Sequence, residues 1–180
     1  MFSGYSLGSA IMANLDELQQ RVRLYAKAAG IAIDPQPFDG GEDGSVWHTE
    51  DHSVVKCFRR DSNYRLELEC FKRLKEAGIG KKIRDFNVPE LIRHSDELLV
   101  IEMGVVFPPY ILDFGKAYLS DPRWPAHVLP EWNEKMSWWW GDEVKRVKGV
   151  LYALQAHGIW YYDAKPGNVM IENWNPTLDD

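Results

Sequence analysis

The sequence predicts an α+β fold in which an antiparallel sheet comes first and a mainly helical part follows. Three observations predict it. Runs of strand-forming residues bounded by turn residues recur through the first half of the chain. An amphipathic helical pattern between Ser62 and Ala77 interrupts them. A second helical period, from about Gly141 to Ala156, delivers the chain into a turn-rich loop and then the apolar run Val169-Met170-Ile171.

Composition sets the frame. At 180 residues with 45% hydrophobic content, the chain has material for one core or two small ones. A net charge of −6 argues against nucleic acid as a partner, because such binding uses a basic face to displace counterions. Cys57 and Cys70 are too few for a disulfide framework and read as small hydrophobic residues rather than zinc ligands. No stretch reaches the ~20 apolar residues that span a bilayer, and Met1 to Ala13 lacks the basic start of a secretory signal. The expectation is a cytoplasmic protein with no membrane partner.

Residues 1–30 read as a helical extension. Asn14 with Glu17 has the spacing of a capping box, and Leu15, Leu18, Val22, Tyr25 and Ala29 line one helical face ending near Gly30. That face would pack within the chain or meet another protein.

Residues 31–103 carry the sheet. Phe38 to Trp47 contains the glycine-rich turn Gly40-Gly41-Glu42-Asp43-Gly44 between two segments that pair as strands. Glycine there lets backbone N–H groups approach phosphate oxygens, with a plain hairpin as the simpler alternative. Ser53-Val54-Val55-Lys56-Cys57-Phe58 is a third strand with a lysine in its middle, and a lysine buried there needs a partner. On the helix between Ser62 and Ala77, Glu67 shares the inward face with Phe71 and Leu74. Glu69, about 200° further round at ~100° per residue, belongs to the solvated face. Val88 to His94 and Glu97 to Met103, joined by the turn at Ser95-Asp96, bring the antiparallel strands to five.

Residues 104–180 form the reduced, mainly helical part. Ile111 to Tyr118 reads as a linker and short helix. Between Ala117 and Trp140 stand Trp124, Trp132, Trp138, Trp139 and Trp140, which either cover the core or offer a platform to a ligand or protein partner; the core reading is the favoured one. Val144, Val147, Leu151 and Leu154 give the next helix its apolar stripe, and His157-Gly158 ends it. Then comes Tyr162-Asp163-Ala164-Lys165-Pro166-Gly167-Asn168. All these residue types suit turns. They also suit phosphoryl transfer: a carboxylate to take the proton of an attacking hydroxyl, an ammonium to meet the moving phosphoryl group, and an amide oxygen for magnesium.

The loop resembles that of the protein-kinase superfamily, H-R-D-L-x-x-x-N, with the lysine two residues after the Asp as in its Ser/Thr-type members. Tyr161 and Tyr162 replace the usual His and Arg, so the usual partner of an activation-loop phosphate is missing. The resemblance runs from about Phe38 to Asp180 and implies a two-lobed kinase-like fold, a minimal or C-terminally truncated member lacking the activation segment and the A-P-E motif. It makes Gly41, Gly44 and Val46 the counterparts of the glycine-rich loop G-x-G-x-x-G-x-V, with Asp39 at the first glycine position. It makes Lys56 the lysine that contacts the α- and β-phosphates and pairs with Glu67. Glu102 and Met103 become hinge residues whose backbone bonds adenine, behind Ile101.

In the same way the resemblance implies Asp163 and Lys165 as catalytic, and Asn168 with Asp180 as magnesium ligands, Asp179 being the alternative to Asp180. Asp113-Phe114-Gly115 spells the family's metal-binding triplet but precedes the loop it should follow, and is expected to be a coincidence of spelling. The expected activity is ATP- and magnesium-dependent transfer of a phosphoryl group to a hydroxyl acceptor, either a protein Ser/Thr, as Lys165-Pro166 suggests, or a small molecule. The alternative is an inactive nucleotide-binding pseudokinase or a Trp-rich interaction module.

Overall fold

The computed structural model describes residues 6–173. In chain order, helix α1 (Ser6–Ala29) precedes strands β1 (Asp39–Gly40), β2 (Gly44–His48) and β3 (Ser53–Phe58), then helix α2 (Asp61–Glu76). Strands β4 (Lys82–Ile83), β5 (Phe86–Asn87), β6 (Leu91–Ser95), β7 (Val100–Gly104), β8 (Tyr110–Ile111) and β9 (Ala117–Tyr118) follow. Helices α3 (Val128–Trp140) and α4 (Val144–Ala156) lead to β10 (Trp160–Tyr161) and β11 (Val169–Met170). Packing divides the chain into two units, Met1–Tyr64 with Leu91–Val105, and Arg65–Glu90 with Val106–Asp180.

The first unit holds a five-stranded antiparallel sheet in the order β1-β2-β3-β7-β6. Side chains alternate between the two faces of each strand, so each row across the ladder shares a face. Trp47, Val55, Cys57 and Val100 form one buried cluster with Leu18, Val22 and Tyr25 of α1. Burial of each such side chain contributes about 1.5–3 kcal/mol, enough to dock α1 on the sheet. Glu102 stands opposite Val55 in the ladder and is 1% exposed. Four bonds satisfy it: Arg93 donates twice, at 2.8 and 3.0 Å, Tyr25 Oη at 2.7 Å and Ser53 Oγ at 2.9 Å. Burial pushes its carboxyl upward, but these hydrogen bonds outweigh burial and hold it below the usual carboxylate range.

The spacing of α1 predicts a helix from Asn14, whereas the helix begins at Ser6, so Asn14 lies inside it rather than at its cap. Strand β6 begins at Leu91 instead of Val88, because the Val88 N–H is given to the Lys81 carbonyl outside the large sheet.

The second unit has a small sheet in the order β11-β8-β5-β4 and a two-stranded ladder of β10 with β9. On α2, Leu68, Phe71 and Leu74 are buried together with Glu67, on the face the spacing predicts. Val147, Val150, Leu151 and Leu154 bury the inner face of α4, and the Arg146–Asp85 ion pair at 2.6 Å ties that helix to the β4–β5 hairpin. Helix α3 is not legible in the sequence. Its Pro130 falls in the first turn, where a missing N–H costs nothing. Among the described residues, no helix is long and apolar enough to cross a membrane.

Candidate active site

The loop after β10 is held by side chains that each address one backbone carbonyl. Trp132 donates its indole N–H to Tyr162 O at 2.9 Å, Asn168 Nδ2 donates to Asp163 O at 2.9 Å, and Trp140 donates to Ala164 O at 2.9 Å. Three successive carbonyls without a strand partner are thus satisfied, as carbonyls withdrawn from water must be. Asn168 and Val169 return their N–H groups to Lys165 O, both at 3.1 Å, and Gly167 sits at φ +96°, where a side chain would be strained. The same Asn168 amide donates to Asp163 Oδ2 at 3.1 Å. This fixes the orientation of the carboxylate.

The segment before α3 completes the neighbourhood. Strand β8 pairs antiparallel with β11, with Ile111 opposite Val169 and Tyr110 opposite Met170. The Leu112 N–H continues the ladder to Asn168 O at 2.9 Å. Asp113 then adopts a left-handed conformation, φ 63° and ψ 66°. Phe114, fully buried, meets Phe71 and Tyr161 edge-on, both at 5.6 Å between ring centres. Lys116 Nζ lies 3.8 Å from Asp163 Oδ2. Ala117 and Tyr118 pair with Tyr161 and Trp160.

Tyr161 reports on the charges around it. Its hydroxyl donates toward Leu112 O at 3.1 Å and Asp163 O at 3.0 Å, joining the two segments. Burial pushes this hydroxyl far above the usual tyrosine range, and the carboxylates of Asp113 and Asp163, with a smaller effect from Glu67, push it further. Asp113 and Asp163 therefore both act on one phenolic oxygen.

The Asp113-Phe114-Gly115 triplet, expected to be a coincidence of spelling, lies next to the loop in the fold. The triplet is placed against the loop by strand pairing, although it precedes the loop in the chain. Asp180 and Asp179 lie outside the described residues. Among the described residues, no group of three His, Cys, Asp or Glu side chains could hold a metal. Asp113, Asp163 and Asn168 carry hard oxygen donors, the type magnesium accepts alongside water and phosphate oxygens.

In the first unit, Val46, Lys56 and Ile101 stand directly opposite one another on β2, β3 and β7. Lys56 is buried, its Nζ 5.0 Å from the centre of the Phe58 ring. Glu67, also buried, belongs to the second unit. Gly44 has a local reason to be glycine: a Cβ there would lie 2.2 Å from Cys57 O across the ladder. Gly41 has no such neighbour, and its N–H closes the turn onto Gly44 O at 2.9 Å. The acids at the tip are drawn aside, Asp43 by Asn63 and the exposed Glu42 toward Arg60 at 4.0 Å. An open cavity of about 400 Å³ borders the turn, lined by Gly40, Gly41, Ser45 and Arg59 among others but not by Lys56.

The two residues expected at the hinge lie within a strand. Glu102 and Met103 are interior to β7, flanked by β3 on one side and β6 on the other. Both edges of that strand are occupied by ladders, so its backbone is committed to the sheet, and the chain first leaves strand geometry after Gly104.

Of the five tryptophans near α3, Trp140 is fully buried, Trp124, Trp132 and Trp139 are half-buried, and Trp138 is exposed. Tyr118, Trp124 and Trp132 each meet Tyr162 edge-on. No family model, curated protein or solved structure matches this chain.

Proposed function

We propose that the chain is an ATP- and magnesium-dependent phosphotransferase of a two-lobed, protein-kinase-like fold, acting on a hydroxyl acceptor. The observation that carries this reading is the pairing of β8 with β11, which sets the Asp113 triplet beside the Asp163–Asn168 loop. In kinase-like chains the triplet follows the loop across a hairpin. Here the two strands pair in the same antiparallel sense with their order in the chain exchanged.

Each side chain then has a task. Asp163, oriented by Asn168, accepts the proton of the attacking hydroxyl. Asp113 and Asn168 Oδ1 are the ligands for magnesium, which when bound neutralises charge on the phosphates. Asp113 takes the place given by sequence to Asp180. Lys56, Gly41, Gly44 and Val46 are the nucleotide-binding residues of the first unit, and the resemblance gives Glu67 as the residue that would support Lys56. Adenine is met by the backbone after β7 rather than by Glu102 and Met103. Lys165 is exposed on the loop. A cytoplasmic protein supplied with ATP is part of the same reading.

Thermal denaturation of the full chain with Mg-ATP, together with phosphate release, tests it. A ligand that binds only the folded state raises Tm with concentration. Stabilisation with turnover, and loss of turnover but not of stabilisation in Asp163→Ala, is the expected result. Stabilisation without turnover would leave a nucleotide-binding pseudokinase, and no response would leave neither.

A further inference from the structure

We propose that Lys116, rather than Lys165, is the cation that meets the transferring phosphoryl group; this rests on the phosphotransferase reading above. The two lysines differ in what surrounds them. Lys116 Nζ is 3.8 Å from Asp163 Oδ2, the same oxygen that accepts from Asn168. Among the described residues, the exposed Lys165 makes no ion pair and no side-chain hydrogen bond.

The backbone beneath Lys116 is held on both sides. It ends the short 3-10 turn Phe114–Lys116, in which Phe114 and Gly115 are buried. The next residue, Ala117, is opposite Tyr161 in the β9–β10 ladder. The lysine therefore leaves a fixed turn beside the loop, with about half of its side chain in water. Lys165 is carried on the loop itself. The exchanged order of strands explains why spacing alone selects the wrong lysine: β9 brings Lys116 to Asp163 through pairing.

In the step, the acceptor oxygen forms a bond to the γ-phosphorus, and the bond from phosphorus to the nucleoside diphosphate oxygen breaks with its electron pair. The acceptor proton passes to the Asp163 carboxylate. Lys116 stays protonated throughout, pairing the carboxylate beforehand and facing the phosphoryl oxygens during transfer.

The test uses the full chain, Mg-ATP, and water as the acceptor, read as phosphate release. Lys116→Ala should lower kcat about 100-fold with KM for ATP changed less than about threefold, since the interaction belongs to the transition state. Lys116→Arg should recover at least about a tenth of wild-type kcat by keeping the charge. Lys165→Ala should cost at least about tenfold less than Lys116→Ala. A Lys116→Ala loss no greater than that of Lys165→Ala overturns the assignment. Thermal shift with Mg-ATP on each variant separates this from misfolding, and a wild-type protein that Mg-ATP fails to stabilise sinks the phosphotransferase reading itself.

Discussion

Ile111 lies directly opposite Val169 in an antiparallel pair, and the residue after it, Leu112, donates its N–H to Asn168 O at 2.9 Å. This ladder brings an acidic triplet to a loop whose own acid and amide are already bonded to each other. The carboxylate of Asp113 follows immediately, in a left-handed conformation that a non-glycine residue keeps only when its surroundings enforce it.

On the phosphotransferase proposal, Asp113→Asn should reduce Mg-ATP turnover by more than about 100-fold while the fold is retained, because the carboxylate assigned to the metal is lost rather than a packing group. Phosphate release measures it. The loss should exceed that of Asp180→Asn, and the reverse ranking would return the metal role to the C-terminal aspartates.

Trp140→Phe removes the indole N–H that satisfies Ala164 O. A buried carbonyl left without its donor costs about 1–3 kcal/mol, and urea denaturation should show a lowered midpoint. Turnover should fall as well, since Asp163 sits between the two carbonyls that Trp132 and Trp140 hold. An unchanged urea midpoint would count against the clamp.

Gly44→Ala and Gly41→Ala separate packing from ligand binding. The first places a Cβ 2.2 Å from Cys57 O and should destabilise the chain by about 3 kcal/mol, because β2 must move away from β3. The second meets nothing and should change stability by less than about 0.5 kcal/mol. Equal destabilisation of both would refute this account of the turn.

Glu102 makes stability depend on pH in a defined direction. Its folded carboxyl lies below its unfolded value near 4.3, so the folded state gains stability above that pH and loses it as pH falls through the folded value. Glu102→Gln should flatten the acid limb of a stability profile taken from pH 6 down to about 3. A limb as steep as that of the wild type would show that other carboxylates set it.

Both thiols should resist labelling while the protein is folded. Burial pushes Cys57 up to about 11 and Cys70 to about 12, so almost no thiolate is present near neutral pH. Reaction with a thiol reagent at pH 8 should await unfolding, and rapid labelling of either would contradict its burial.

Local pattern determined a good deal. The bounds of β3 and the antiparallel sheet follow from strand formers and turn residues, while α2 and α4 follow from helical period, and Glu67 is buried as its spacing predicts. The nearness of Asp163 to Asn168 was legible too, because both lie in one loop. Helix α3 was not, since tryptophans and prolines carry little periodic signal. Nor was the extent of β7, which depends on pairing with both neighbours. The roles proposed for Asp113 and Lys116 rest on tertiary structure alone. The triplet was in plain view in the sequence, but which distant strand it joins is decided by backbone pairing and by the burial of Phe114 against Phe71 and Tyr161, and neither leaves a mark on local spacing.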